Sequence, residues 1–313
     1  MSLLLILAIS LVMYYLASRW YGRGIARWMK LDDSEQTPAV TRNDGRDYVP
    51  TKLHVVFAHH FATIAGAGPI IGPTVGILYG FVPAWLWVLL GGIFFGAVHD
   101  FTSLFISVKE GGKSLAEITR KTMGRTGFIL FVTFSMLMLL LVTAAFLNAT
   151  AMSLTSRWPL EKLGLPASQT ILRTTTNPAT GLPEGVIGGI ASTSVIIITL
   201  LSPVLGWLMY RKGLKTGLAY IFATVVAVGS VLVGFRHPVT LEPHTWMLII
   251  SIYCWIAAGL PVWLILQPRD FTNVQLLYGG MLMLVVGVVA SGFQGLDVNF
   301  PATSIGEGMS HLG

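Results

Sequence analysis

One apolar segment that interrupts its own helix limits most strongly what this chain can fold into. Residues 54–79 are apolar and long enough to cross a lipid bilayer, which takes about 20 residues. Pro69 and Pro73 lie inside the segment, and neither can donate a backbone hydrogen bond to the preceding helical turn. Unpaired backbone at membrane depth is tolerated only where protein or a water-filled cavity satisfies it. The segment therefore predicts an interrupted membrane span.

Interrupted spans are where secondary transporters hold their substrate and coupling ion. A helix that restarts after Gly68 would expose backbone amides that attract a carboxylate. Freed carbonyls beside Thr63 or Thr74 could instead coordinate sodium. We expect the residues around the break to form a substrate or ion site: Thr63, Gly66, Ala67, Gly68, Pro69 and Gly72.

The composition predicts an all-α polytopic membrane protein with a single transmembrane domain over residues 1–313. Apolar residues make up 54% of the chain and charged residues 11%, whereas soluble domains carry roughly 25% charged residues. The apolar residues occur in long runs, not in the alternating segments of a barrel. An extra first helix precedes a core that begins at residue 54, and the loop 153–185 is expected to be irregular. The eight predicted spans are approximately 2–18, 54–79, 84–108, 126–152, 186–210, 216–235, 245–266 and 274–292.

The basic residues predict the orientation of the chain. They concentrate in the connections 19–53, 109–125 and 211–215, which all fall on one side of the membrane if there are eight spans. The positive-inside rule places that side in the cytoplasm and the N-terminus in the periplasm. Because the net charge of +6 comes from short loops beside the spans, we expect no nucleic-acid partner. No catalytic, metal-binding or cofactor motif is present, so we expect neither an enzyme nor a bound cofactor.

A second interruption is predicted in span 245–266. Gly259 and Pro261 weaken that helix, which runs in the opposite direction to the first broken span and lies five spans later. This spacing is typical of the five-plus-five inverted repeat of LeuT-like transporters. Such a repeat needs ten spans from residue 54, so the second repeat, from about residue 245, would be incomplete. The alternative is that glycine and proline are simply common in membrane helices.

Ionisable residues inside the bilayer are functional candidates because their burial is costly. Two pairs lie at comparable predicted depth on consecutive antiparallel spans: His59, His60, His99 and Asp100. A histidine–carboxylate contact between them could carry a coupling proton, since histidine titrates near neutrality. The alternative is a hydrogen-bonded pair that only holds two helices together.

Arg269 and Asp270 are predicted at the cytoplasmic end of span 245–266, within the segment 267–270. The planar guanidinium of Arg269 could bind a carboxylate or a gate-closing acid in bidentate fashion. It could equally be an arginine at the membrane interface that pairs with Asp270.

These motifs together resemble the carbon starvation protein A (CstA) family of bacterial inner-membrane transporters. The resemblance rests on the segments 59–73, 96–101, 260–264 and 267–270. It implies uptake of peptides or small carboxylates such as pyruvate, coupling to protons, expression under carbon limitation and a five-plus-five core. Family members continue into further spans, so the resemblance also implies that this chain is a fragment or a short form.

The leading hypothesis is a proton symporter in the inner membrane, with the lipid bilayer and a peptide or pyruvate-like substrate as its partners. Sodium remains an alternative coupling ion, and the oligomeric state is open. A second hypothesis is a non-transporting membrane sensor or assembly subunit, or an inactive fragment of such a transporter. A channel has less support because no segment resembles a selectivity filter.

Overall fold

The computed structural model describes residues 2–312, with side chains except at positions 67, 307, 308, 311 and 312. Within these residues the chain is mainly helical, with π-helical turns at Ala17–Gly22 and Trp87–Gly96. The α-helices are α1 (Leu3–Leu16), α2 (Arg23–Trp28), α3 (Pro38–Thr41), α4 (Leu53–Ile64), α5 (Ala67–Gly76), α6 (Phe81–Leu86), α7 (Ala97–Lys109), α8 (Leu115–Leu154), α9 (Ile187–Tyr210), α10 (Thr216–Arg236), α11 (Pro243–Ala258), α12 (Leu266–Phe293) and α13 (Ile305–Leu312).

The helices confirm the prediction of an all-α, multi-pass membrane protein. Among the described residues, six continuous stretches are long and apolar enough to cross a bilayer. The interrupted pair Leu53–Ile64 and Gly68–Tyr79 can count as a seventh span, and α11 is a shorter apolar helix. The exact number of spans and the inverted repeat stay predictions. The six stretches are Leu3–Trp28, Phe81–Lys109, Leu115–Leu154, Ile187–Tyr210, Thr216–Arg236 and Leu266–Phe293.

The first helical stretch extends further than the sequence predicted. We expected a loop from residue 19, but the helix continues through the π-helical turn and α2 to Trp28. Arg19, Arg23 and Arg27 therefore lie on a helix. Long basic side chains can extend along a helix towards polar surroundings, so a basic residue does not have to end the helix.

The chain divides into two compact units. One contains residues 1–50, 65–133 and 280–313, and the other contains residues 51–64 and 134–279. In the first unit the hydroxyl of Tyr14 donates to the carbonyl oxygen of Val88 at 3.1 Å. That carbonyl belongs to the π-helical segment Trp87–Gly96, where the usual pattern of backbone hydrogen bonds is altered.

The second unit is built on the close packing of α9 and α10. A Cβ atom on Gly234 would lie 2.7 Å from the carbonyl oxygen of Ile190, so glycine is needed for this approach. The hydroxyls of Ser194 and Ser230 form a buried hydrogen bond of 2.7 Å between the two helices. α4 and α12 pack against this pair through a buried apolar cluster that consists of Val55, Ala58, Leu205, Ala219, Ala223, Phe271 and Val274.

We expected the segment 153–185 to be irregular, but part of it forms short strands. It contributes to a small antiparallel sheet of β1 (Arg157–Pro159), β2 (Thr174–Thr176) and β3 (Pro183–Val186), in the order β1-β3-β2. The turn between β2 and β3 is held by Asn177, whose amide donates to a carboxylate oxygen of Glu184 at 2.7 Å. Strands of three or four residues are too short for a sequence pattern of period two to stand out.

Candidate functional site

The interruption of the first broken span is confirmed at a slightly earlier position. α4 ends at Ile64, and Gly66 adopts an extended conformation with φ −80° and ψ −165° before α5 begins at Ala67. Pro69 is the third residue of α5. The amides of a first helical turn have no intrahelical partner, so proline costs no hydrogen bond there. Pro69 therefore lies in the restarted helix and not in the break.

Two threonine hydroxyls near this break bond to their own helices. Thr63 donates to the carbonyl oxygen of His59 at 2.8 Å, and Thr74 donates to that of Ile70 at 2.7 Å. A Cβ atom on Gly72 would meet no atom within 4 Å, so no close approach requires glycine there. The side chain of Ala67 lies outside the described part of the chain. A binding role stays a prediction for Thr63, Gly66, Ala67, Gly68, Pro69 and Gly72.

The second interruption is confirmed too, but the chain after it differs from the prediction. α11 ends at Ala258 with Gly259 as its C-cap, and the following turn includes a hydrogen bond from the amide of Leu264 to the carbonyl oxygen of Pro261 at 3.0 Å. The binding role predicted for Gly259 and Pro261 is untested. The chain then forms one helix from Leu266 to Phe293.

The segment 267–270 therefore lies in the first turns of α12, and our placement of it at the end of a span was wrong. Pro268 is the third residue of α12, the position that Pro69 has in α5. A proline at this position starts a helix without loss of a hydrogen bond, whereas we took it as the end of one.

A glycine on α9 lets the turn between α11 and α12 approach closely. A Cβ atom on Gly206 would lie 2.7 Å from the carbonyl oxygen of Leu264 and 2.8 Å from that of Trp263. Two backbone oxygens therefore occupy the space that any larger residue would need. This contact fixes where α12 begins and hence where Arg269 and Asp270 lie.

His59 of α4 contacts Asp270 of α12. Its Nδ1 lies 2.8 Å from Oδ2 of Asp270, across 211 positions of sequence. The side chain of Asp270 is only 12% exposed and that of His59 is 31% exposed. The next residue, Phe271, is fully buried in the apolar cluster, which holds this part of α12 against α4.

Arg269 links the same carboxylate to α11. Its Nε and Nη2 donate to Oδ1 of Asp270 at 3.2 and 3.1 Å. Its Nη1 donates to the hydroxyl of Tyr253 at 2.8 Å, and its Cζ lies 5.5 Å from the centre of the Tyr253 ring. We call His59, Asp270, Arg269 and Tyr253 the His–Asp–Arg–Tyr network.

The sequence predicted three members of this network, but it did not identify Tyr253. Asp270 was considered as a partner of Arg269, and that pairing is present, but its contact with His59 was not foreseen. Tyr253 carries a hydroxyl in the middle of an apolar helix, and this signal could have identified it.

The other predicted ionisable residues lie elsewhere. Nδ1 of His99 lies 3.2 Å from Oδ1 of its neighbour Asp100 on α7, and their side chains are 73% and 36% exposed. His60 lies on α4, but no described hydrogen bond or ion pair joins it to the His–Asp–Arg–Tyr network. A contact between His59 or His60 and Asp100 would join the two units and stays a prediction.

The network gives three apolar helices an imidazole, which can bind a proton, and a partner for each charge. An ionised carboxylate or guanidinium inside a membrane is costly unless it is paired. Here Asp270 has Arg269 on one oxygen and His59 on the other. Such an arrangement gives an added proton a place at the contact between His59 and Asp270.

Comparisons with known proteins identify the family. The family model described as "Carbon starvation protein CstA" matches residues 2–307. The "Peptide transporter CstA" of Campylobacter jejuni is 32% identical over 292 residues, which cover 92% of this chain and 38% of that protein. The "Pyruvate/proton symporter BtsT" of Escherichia coli is 33% identical over 299 residues, which cover 92% of this chain and 37% of that protein.

The relatives are longer than this chain. The "Peptide transporter CstA" of Bacillus subtilis is 32% identical over 290 residues, which cover 92% of this chain and 44% of that protein. The chain thus spans about two fifths of the length of these curated relatives. No solved structure matches it. Because the family model covers nearly every residue, the chain belongs to the carbon starvation protein CstA family.

Proposed function

We propose that this chain is a secondary active uptake transporter that imports peptides or pyruvate-like small carboxylates across the bacterial inner membrane by proton symport. The observation that carries the proposal is the contact between His59 and Asp270. It pairs an imidazole, which can bind a proton, with a carboxylate among apolar helices. The names of the relatives support transport, and one relative is named a pyruvate/proton symporter.

Uptake into proteoliposomes tests the proposal. The 313-residue chain is reconstituted, and the uptake of labelled pyruvate and of labelled alanyl-alanine is measured with pH and sodium gradients imposed separately. We expect a substrate to accumulate when the outside is more acidic than the inside. Accumulation that follows the sodium gradient alone would contradict proton symport.

The variant Asp270→Asn examines the proposed proton site. It removes the ionisable partner of His59, and hydrogen bonds to charged groups are worth roughly 1.5–3 kcal/mol. We therefore expect proton-driven uptake to fall by about tenfold or more. Asp33→Asn, in an exposed connection outside the spans, is the matched control. If Asp100→Asn abolishes proton-driven uptake and Asp270→Asn leaves it intact, the proton site is at His99–Asp100 instead.

The alternative function makes a different prediction in the same assay. A membrane sensor or assembly subunit would insert normally and show no uptake of pyruvate or dipeptide under any gradient. Uptake that appears only when a second membrane protein is reconstituted with the chain would support this alternative.

A further inference from the structure

We propose that Arg269 binds the carboxylate of the substrate, and that Asp270 occupies this place until a proton reaches the His59–Asp270 pair. The inference rests on the proposed function. It adds the residue that binds the carboxylate and a reason why substrate and proton bind together.

The geometry of the contact between Arg269 and Asp270 indicates that another carboxylate can replace Asp270. The two residues are consecutive on α12, and consecutive helical side chains do not face each other. Nε and Nη2 of Arg269 both point at the single oxygen Oδ1, at 3.2 and 3.1 Å. Charge-assisted hydrogen bonds of this type are about 2.7–2.9 Å long, and a free carboxylate can place one oxygen opposite each nitrogen. A substrate carboxylate can therefore form a better pair with Arg269 than Asp270 does.

Arg269 also has N–H groups that no described hydrogen bond uses. Within the described part of the chain, its hydrogen bonds use three of the five N–H groups that a guanidinium carries. Its side chain is 27% exposed, compared with 12% for Asp270. An incoming carboxylate can therefore reach the guanidinium before the bond to Asp270 breaks.

The charges of the network explain why one proton and one carboxylate bind together. With His59 neutral, the charges of Arg269 and Asp270 cancel. A proton on the His59–Asp270 pair leaves an excess positive charge, which is costly among apolar helices. A monocarboxylate removes that excess, whereas an uncharged compound leaves it. Because binding couplings are reciprocal, each of the two ligands raises the affinity for the other.

The added proton acts at the short contact between Nδ1 of His59 and Oδ2 of Asp270, which are 2.8 Å apart. In the resting state Nδ1–H donates to the carboxylate. Once the added proton joins the one already on Nδ1, it cancels the negative charge of Asp270 that attracts Arg269. Tyr253 then keeps the guanidinium in place through its hydroxyl and its ring. The other titratable side chains on the elements that pack around the network are His54 and His60 on α4, Tyr210 on α9, Tyr220 and Arg236 on α10, His244 and Cys254 on α11 and Tyr278 on α12.

Binding of sodium pyruvate to the 313-residue chain in lipid nanodiscs tests the inference. Calorimetry gives Kd from about pH 5.5 to pH 8.5, a range that brackets the usual pKa of histidine. For the unmodified chain we expect Kd to rise with pH by up to about tenfold per pH unit, as the binding of one linked proton requires. We expect pyruvamide, which has no carboxylate, to bind at least about tenfold more weakly.

Three variants separate the roles of the two residues. Asp270→Asn imitates the protonated acid, so it should bind pyruvate at least as tightly as the unmodified chain and without dependence on pH. Arg269→Gln should weaken binding by about a hundredfold, because it removes the charge and the fork together. Arg269→Lys keeps the charge but not the fork, so its affinity for pyruvate should lie between those of the unmodified chain and Arg269→Gln. Arg236→Gln, at the exposed end of α10, is the matched control.

Size-exclusion chromatography and circular dichroism establish that each variant is folded. The inference is overturned if folded Asp270→Asn binds as weakly as Arg269→Gln, if pyruvamide binds as well as pyruvate, or if the chain binds no pyruvate at any pH. Proton-driven uptake that survives Arg269→Gln would overturn this inference and leave the proposed function intact. If pyruvate binding depends on pH but no uptake occurs, the proposed function is overturned and the carboxylate site at Arg269 still stands.

Discussion

Tyr253 holds the guanidinium of Arg269 through two different contacts. Its hydroxyl accepts a hydrogen bond from Nη1 at 2.8 Å, and its ring centre lies 5.5 Å from Cζ. The hydrogen bond fixes one nitrogen and the ring restricts the plane of the group. Since neither contact involves Asp270, Tyr253 can orient Arg269 whether or not the carboxylate of Asp270 is charged.

Two substitutions of Tyr253 distinguish these contacts. Tyr253→Phe removes only the hydrogen bond and should raise Kd for pyruvate about tenfold, since bonds to charged groups are worth roughly 1.5–3 kcal/mol. Tyr253→Leu also removes the cation–π contact, worth about 0.5–2 kcal/mol, and should raise Kd several-fold further. The measurement is calorimetry in nanodiscs. Tyr15→Phe is a matched control, because Tyr15 makes the same two kinds of contact with Arg19. Unchanged affinity in Tyr253→Phe would show that the hydroxyl does not position Arg269.

At the scale of helices, both interruptions could be predicted because their causes are local. A helix that ran on through Pro69 or Pro261 would lack one backbone hydrogen bond, so each proline favours a break before it. The same rule gave a wrong prediction at Pro268, which we took as the end of a helix although it lies at the start of α12. A proline that ends one helix and a proline that starts the next look identical in sequence. Only the free amides of a first turn distinguish the two cases.

The contact between His59 and Asp270 could not be predicted by such local rules. It joins residues 211 positions apart, and it depends on how α4 and α12 are rotated about their axes. Buried packing around Phe271 determines that rotation. An estimate of depth from the rise per residue gives a height in the membrane but not the direction of a side chain. We therefore identified the titratable residues and predicted a different pairing for His59.

Gly206 on α9 packs against the turn that precedes α12, so a substitution there tests whether helix packing positions the network. A methyl group there would lie within 3 Å of the carbonyl oxygens of Leu264 and Trp263, so the turn before α12 must move. We expect Gly206→Ala to destabilise the folded chain by about 1–3 kcal/mol and to weaken pyruvate binding.

Thermal unfolding in detergent and calorimetry measure the two effects of Gly206→Ala. The control is Gly229→Ala on α10, where a Cβ atom would meet nothing within 4 Å. There the gain in helix propensity, about 0.8–1 kcal/mol, should raise the unfolding temperature. If both variants behave alike, the close approach at Gly206 does not position α12.

For the whole molecule, the His–Asp–Arg–Tyr network lies entirely within the unit formed by residues 51–64 and 134–279. The residues after the first break, from Gly66 to Gly72, belong to the other unit. The proposed carboxylate and proton sites therefore need only helices α4, α11 and α12 of one unit. This makes binding measurements on the network independent of whether the predicted five-plus-five repeat exists.

The sidedness of the membrane determines from which face a proton and a substrate would enter. Arg211, Lys212 and Lys215 lie in the short connection between α9 and α10, and the positive-inside rule assigns this connection to the cytoplasm. The connection between β2 and β3, which contains Thr180, lies before α9. Because α9 is one of the predicted spans, the two connections should lie on opposite sides of the membrane.

Chemical labelling tests this orientation, and the chain suits it because Cys254 is its single cysteine. Cys254→Ser gives a background to which either Thr180→Cys or Lys212→Cys is added. We expect a membrane-impermeant maleimide to label Thr180→Cys in intact spheroplasts, and Lys212→Cys only after the membrane is permeabilised. The unmodified Cys254→Ser background shows how much labelling is non-specific. The reverse pattern would place the basic connections outside and contradict the predicted orientation.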